Sequence, residues 1–102
     1  MINNVTPESI KQELKLLFRN SSESHHEVIM YCKKGGFMVS FIITRWGKAS
    51  NIGPYSMIIR SPYVGAEHLE RTKIPSLQAI TQDIFNFLTG KEMSCYRPLI
   101  AD

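Results

Sequence analysis

Two apolar runs separated by Lys33-Lys34-Gly35-Gly36 constrain this chain more than any other feature. The first run is Val28-Ile29-Met30-Tyr31-Cys32. The second extends from Phe37 to Ile43 and continues into Thr44-Arg45-Trp46. Both are rich in β-branched and aromatic residues, which suit a pleated strand. Gly35-Gly36 can supply the positive φ angles that a two-residue hairpin loop demands. Residues 27–46 therefore read as a β-hairpin in which Lys34 faces Phe37. Alternation along the strands then sorts the side chains into two sets. One face carries Val28, Met30 and Cys32 opposite Ile43, Phe41 and Val39. The other carries Glu27, Ile29, Tyr31 and Lys33 opposite Thr44, Ile42, Ser40 and Met38. The first set is wholly apolar and must be the core face. A slip of one residue would exchange the two sets.

A helix precedes the hairpin. Thr6 is placed to cap it, and Pro7 suits the first helical position because its missing N–H had no partner there. Ile10, Leu14, Leu17 and Phe18 fall on one helical face, with Leu16 off it, and the helix should end near Asn20. Residues 47–54 are rich in Gly, Ser, Asn and Pro and read as a loop. Tyr55, Met57 and Ile59 alternate with Ser56, Ile58 and Arg60 in a third strand, which Pro62 ends. The segment Ala66-Glu67-His68-Leu69-Glu70-Arg71 suggests a short helical turn. Pro75-Ser76 starts a second helix, with Leu77, Ile80, Ile84 and Leu88 spaced by three and four, Phe85 and Phe87 widening the stripe, and Gly90 as its stop.

The expected architecture is α+β. A three-stranded antiparallel meander in the order α-β-β-β-α carries both helices on one face, and residues 93–102 can add a short C-terminal strand. With 102 residues, this is one domain. The element order resembles that of double-stranded-RNA-binding domains. Those domains grip phosphate with a lysine run at the start of the last helix, where this chain has Ile74-Pro75-Ser76-Leu77-Gln78-Ala79.

The chemistry-bearing residues are sparse. His25, His26 and His68 could bind a transition metal only if the fold brought them together, and adjacent histidines on an extended chain point opposite ways, so exposed polar residues flanking a strand are the expectation. Cys32 and Cys95 lie in no metal or redox motif and read as reduced thiols, with a Cys32–Cys95 disulfide as the other option. No nucleophile elbow, catalytic carboxylate pair or phosphate-binding loop occurs. No catalytic residue, metal or cofactor is assigned, and a metal- or ligand-binding enzyme is the last of three readings. The start of the chain, Met1-Ile2-Asn3-Asn4, lacks the basic and apolar regions of a secretory leader. No window approaches the roughly 18 apolar residues of a membrane helix. A cytoplasmic protein with no membrane contact is expected.

Two constellations remain. The formal net charge is +3, and Lys33, Lys34, Arg45, Lys48 and Arg60 fall at the sheet ends near aromatic residues, the ingredients of a nucleic-acid interface. The second is the other sheet face, where Ile29, Tyr31, Met38, Ile42, Ile58 and Trp46 form an apolar patch. Monomers rarely leave such patches open. A cover is required: the tail or residues 63–73, a second copy, or another protein. The leading expectation is a non-enzymatic binding or regulatory module, homodimeric through this face, with nucleic-acid binding as the alternative.

Overall fold

The computed structural model describes residues 6–19, 24–32, 36–46, 54–61, 67–90 and 97–98. Helix α1 (Pro7–Arg19) leads into strands β1 (His25–Cys32), β2 (Phe37–Arg45), β3 (Tyr55–Ser61) and β4 (Glu67–Ile74). Helix α2 (Leu77–Leu88) and a two-residue strand β5 (Arg97–Pro98) follow. The sheet is an antiparallel meander in the order β1-β2-β3-β4-β5.

Both helices begin where their capping residues dictate. The Thr6 hydroxyl accepts from the Ser9 amide at 3.1 Å, and the Ser9 hydroxyl accepts from the Thr6 amide at 3.0 Å. This reciprocal pair satisfies donors that a helix start otherwise leaves open. Ser76 does the same for α2, accepting from the Ala79 amide at 3.1 Å. At the other end of α2, Gly90 takes a φ of 74°, and the Thr89 hydroxyl donates to the Phe85 carbonyl at 2.8 Å. The Cys32 thiol, free and buried, donates to the Leu88 carbonyl at 3.4 Å. Cys32 is thus not in a disulfide, and Cys95 lies outside the described residues.

One core lies between the helices and one face of the sheet. Ile10, Leu14 and Phe18 of α1 and Leu77, Ile80, Ile84 and Leu88 of α2 meet Met30, Cys32, Val39, Phe41, Ile43, Tyr55, Met57 and Ile59. Each large side chain buried this way contributes roughly 1.5–3 kcal/mol. The apolar hairpin face is the core face, as its sequence requires. Leu16, off the α1 stripe, is exposed.

Two expectations are corrected. The hairpin loop is longer than Gly35-Gly36. Cys32 pairs with Phe37 and Val28 with Phe41, not Ile43, so residues 33–36 make the connection and Lys34 does not face Phe37. The Gly36 amide donates back to the Cys32 carbonyl at 2.8 Å with Gly36 at φ 69°. Moving the register by two positions leaves every side chain on its expected face. Second, the meander has a fourth full strand, β4 (Glu67–Ile74), where a helical turn was expected at 66–71. That strand is bulged. Tyr55 pairs with Ile74 but Met57 pairs with Arg71, so Thr72 and Lys73 together oppose Ser56. The bulge returns Ile74 to the core face, while Arg71, opposite Met57, reaches the same face by regular alternation from Leu69. There, beneath α2, its guanidinium pairs with the Asp83 carboxylate.

The bulge holds Lys73 at φ 58°, the left-handed region that costs an L-residue about 1–2 kcal/mol. Lys73→Gly is expected to leave stability unchanged or raise it by up to about 1 kcal/mol, and Lys73→Val to lower it by about 1 kcal/mol, measured by urea unfolding. Asp83→Asn, which leaves the half-buried Arg71 without its charge partner, should cost about 1–3 kcal/mol in the same assay. Replacing both partners together, Arg71→Met with Asp83→Leu, should recover most of that loss.

Candidate functional site

The sheet face turned away from the helices holds the sequence-predicted patch. Cross-strand pairing arranges it in rows. Glu27, Ile42, Ile58 and Glu70 stand opposite one another across four strands, and Ile29, Ser40, Arg60 and His68 form the neighbouring row. Tyr31 pairs with Met38 at the hairpin end. The relative exposures are 57% for Ile29, 42% for Tyr31, 46% for Met38 and 67% for Trp46. Met38 has no neighbour on β3 among the described residues, where pairing between β2 and β3 begins at Ser40. Ile29 and Tyr31 are open because β1 has a neighbour on one side alone among the described strands.

Ile42 and Ile58 behave differently. Ile42 is buried at 8% and Ile58 is half-buried. Ile42 sits on a strand with a neighbour on each side, between Glu27 and Ile58. The expectation of an open Ile42 is therefore corrected. The patch is an apolar corner of Ile29, Tyr31 and Met38, with Trp46 apart from it at the far end of β2.

Polar contacts frame this face. The Ser40 hydroxyl donates to the Glu27 carboxylate at 2.8 Å. His25 Nδ1 lies 3.1 Å from the Thr44 hydroxyl. The Trp46 indole N–H donates to the Ser56 hydroxyl at 3.0 Å, and its backbone N–H donates to the Pro54 carbonyl at 3.0 Å. Trp46 is thus fixed at both ends of the residue while most of its ring meets solvent. Residues 67–74 extend the sheet sideways and do not fold over the face, and β5 likewise adds to the sheet.

The histidines do not converge. His25 lies on the outer face. His26 is buried on the core face, edge-on to Phe18 with ring centroids 5.1 Å apart. His68 pairs with Arg60 at the far side of the sheet. Among the described residues, no three His, Cys, Asp or Glu side chains gather so that they could hold a metal ion.

The basic residues are divided too. Lys33, Lys34 and Lys48 lie outside the described residues. Arg60 is exposed on the outer face. Arg45 is turned to the core side, its guanidinium carbon 5.3 Å from the centre of the Phe18 ring. The two described members of the set therefore occupy opposite faces. No helix of the described residues is long and apolar enough to cross a membrane.

Phe18 gathers a polar group that sequence reasoning missed. His26, Arg45 and Tyr55 all meet this one ring, with Tyr55 at a centroid distance of 5.6 Å. Alternation already placed these residues on the core face, but their convergence on Phe18 depends on how α1 lies across the strands. The cluster serves the core: an aromatic ring takes a cation on its face and ring edges around it.

No protein-family model, no curated protein and no solved structure matches this chain.

Burial raises the Tyr55 phenol above its ordinary value of 10.0, and the Arg45 charge offsets this only in part. The folded protein keeps this proton at a pH where the unfolded chain releases it. Its contribution to stability is complete below pH 10.0 and is lost as pH rises toward the folded value. Tyr55→Phe should therefore lose less stability than the wild type above pH 10.0, measured as the shift in urea midpoint with pH.

Proposed function

We propose that this chain is a non-enzymatic binding or regulatory module that works through protein–protein contact of its outer sheet face, as a homodimer. The observation that carries this reading is the apolar corner formed by Ile29, Tyr31 and Met38, at 57%, 42% and 46% exposure. Water is a poor solvent for adjoining aliphatic, aromatic and thioether groups, and interface cores are enriched in Tyr and Met. The flanking Glu27 and Ser40 supply the polar rim that such contacts have. Trp46 offers a second anchor of the kind that dominates binding energy.

Light scattering across a concentration series tests the reading, with a dimer as the expected species. Tyr31→Glu introduces a charge into the corner without touching the core. It should weaken dimerisation by about tenfold or more while leaving the circular dichroism spectrum unchanged. A wild-type chain that stays monomeric at every concentration would sink the homodimer.

A further inference from the structure

Strand β1 is eight residues long, and its pairing with β2 runs without a register break. The Arg45 amide donates to the Ser24 carbonyl at 2.7 Å. That bond marks Ser24 and Arg45 as a hydrogen-bonded pair of the antiparallel ladder. Such pairs alternate with non-bonded ones. His26, Val28, Met30 and Cys32 therefore direct their backbone groups to β2. His25, Glu27, Ile29 and Tyr31 direct theirs outward, to an edge that no described strand occupies.

Sheet edges are ordinarily blunted by proline, lysine, bulges or brevity. The opposite side of this sheet shows three of these devices. Its edge strand β5 has two residues among those described, one of them Pro98, which has no N–H, and β4 behind it is bulged at Thr72 and Lys73. Strand β1, His-His-Glu-Val-Ile-Met-Tyr-Cys, has no proline, lysine or bulge. Ile29 and Tyr31 belong to this bare edge, and Met38 adjoins it by pairing with Tyr31. The backbone that no described strand pairs and the exposed apolar corner thus coincide.

We infer that β1 is the dimer contact: it pairs antiparallel with β1 of a second copy, so that the two sheets become one. The inference rests on the homodimer reading above and specifies its geometry. A second copy fits because the strand is self-complementary. A two-fold axis normal to the sheet can pass at Val28 or at Ile29. Glu27 then faces Ile29 or Tyr31 of the other chain and never its own copy, which avoids like charges in register. The axis uses both β1 edges at once. The blunted opposite edges stop further addition, so the assembly closes as a dimer and does not grow into a fibre.

Amide hydrogen exchange on the intact wild-type chain, above and below the concentration at which it dimerises, reads this directly. The Glu27, Ile29 and Tyr31 amides should slow by about tenfold or more in the dimer, while those of Val28 and Met30 are protected in both states. Glu27→Pro deletes an outward N–H and spares the ladder with β2, so it should give a folded monomer. A dimer whose Glu27, Ile29 and Tyr31 amides exchange as fast as in the monomer overturns edge pairing and leaves the sheet-face reading standing. A wild type that never dimerises overturns both.

Discussion

Burial of one side of β2, through Val39, Phe41 and Ile43, is the constraint on which the rest of the structure depends. These side chains are wholly excluded from solvent and lie at the centre of the core. Both amphipathic helices must lie on that side, because each has one apolar stripe and this is the apolar surface available to it. With the helices committed there, the opposite face is left to what the strands themselves carry. The candidate site is therefore a consequence of how the core was filled.

At the margins of the core side, three polar groups are each held by a specific neighbour. Arg71 reaches Asp83 of α2, Arg45 lies over the Phe18 ring, and the Cys32 thiol donates to the Leu88 carbonyl at the end of α2. These contacts fasten strands to helices at points where aliphatic packing runs out. Leaving a buried donor or charge without its partner costs more than making the contact gains. They therefore discriminate against misplaced helices more than they add to the total stability.

The sorting of hairpin residues into two faces was legible because side-chain direction repeats every two residues. It survived an error in the loop. Pairing Val28 with Phe41 and not with Ile43 moved partners but changed no face. The fourth strand was not legible, and the reason lies at Thr72 and Lys73. A bulge breaks the alternation that announces a strand, and the inward position before it is taken by Arg71, where a hydrophobic residue would be sought. Glu67, Leu69, Glu70 and Arg71 also have good helical propensity, so tertiary pairing overrode local preference.

The candidate site divides along the same line. The sequence by itself determined which residues stand on the outer face, through the two-residue period, and where both helices start, through Thr6 and Ser76. Only the tertiary structure decided which of those outer residues meet solvent. Ile42 is closed because strands flank it on both sides, whereas Met38 on the same strand extends past the pairing with β3, and Ile29 lies on the edge. Exposure depends on neighbours distant in sequence, and local periodicity carries no record of them. The bare edge of β1 was hidden for the same reason: a strand is an edge only with respect to the strands that are absent beside it.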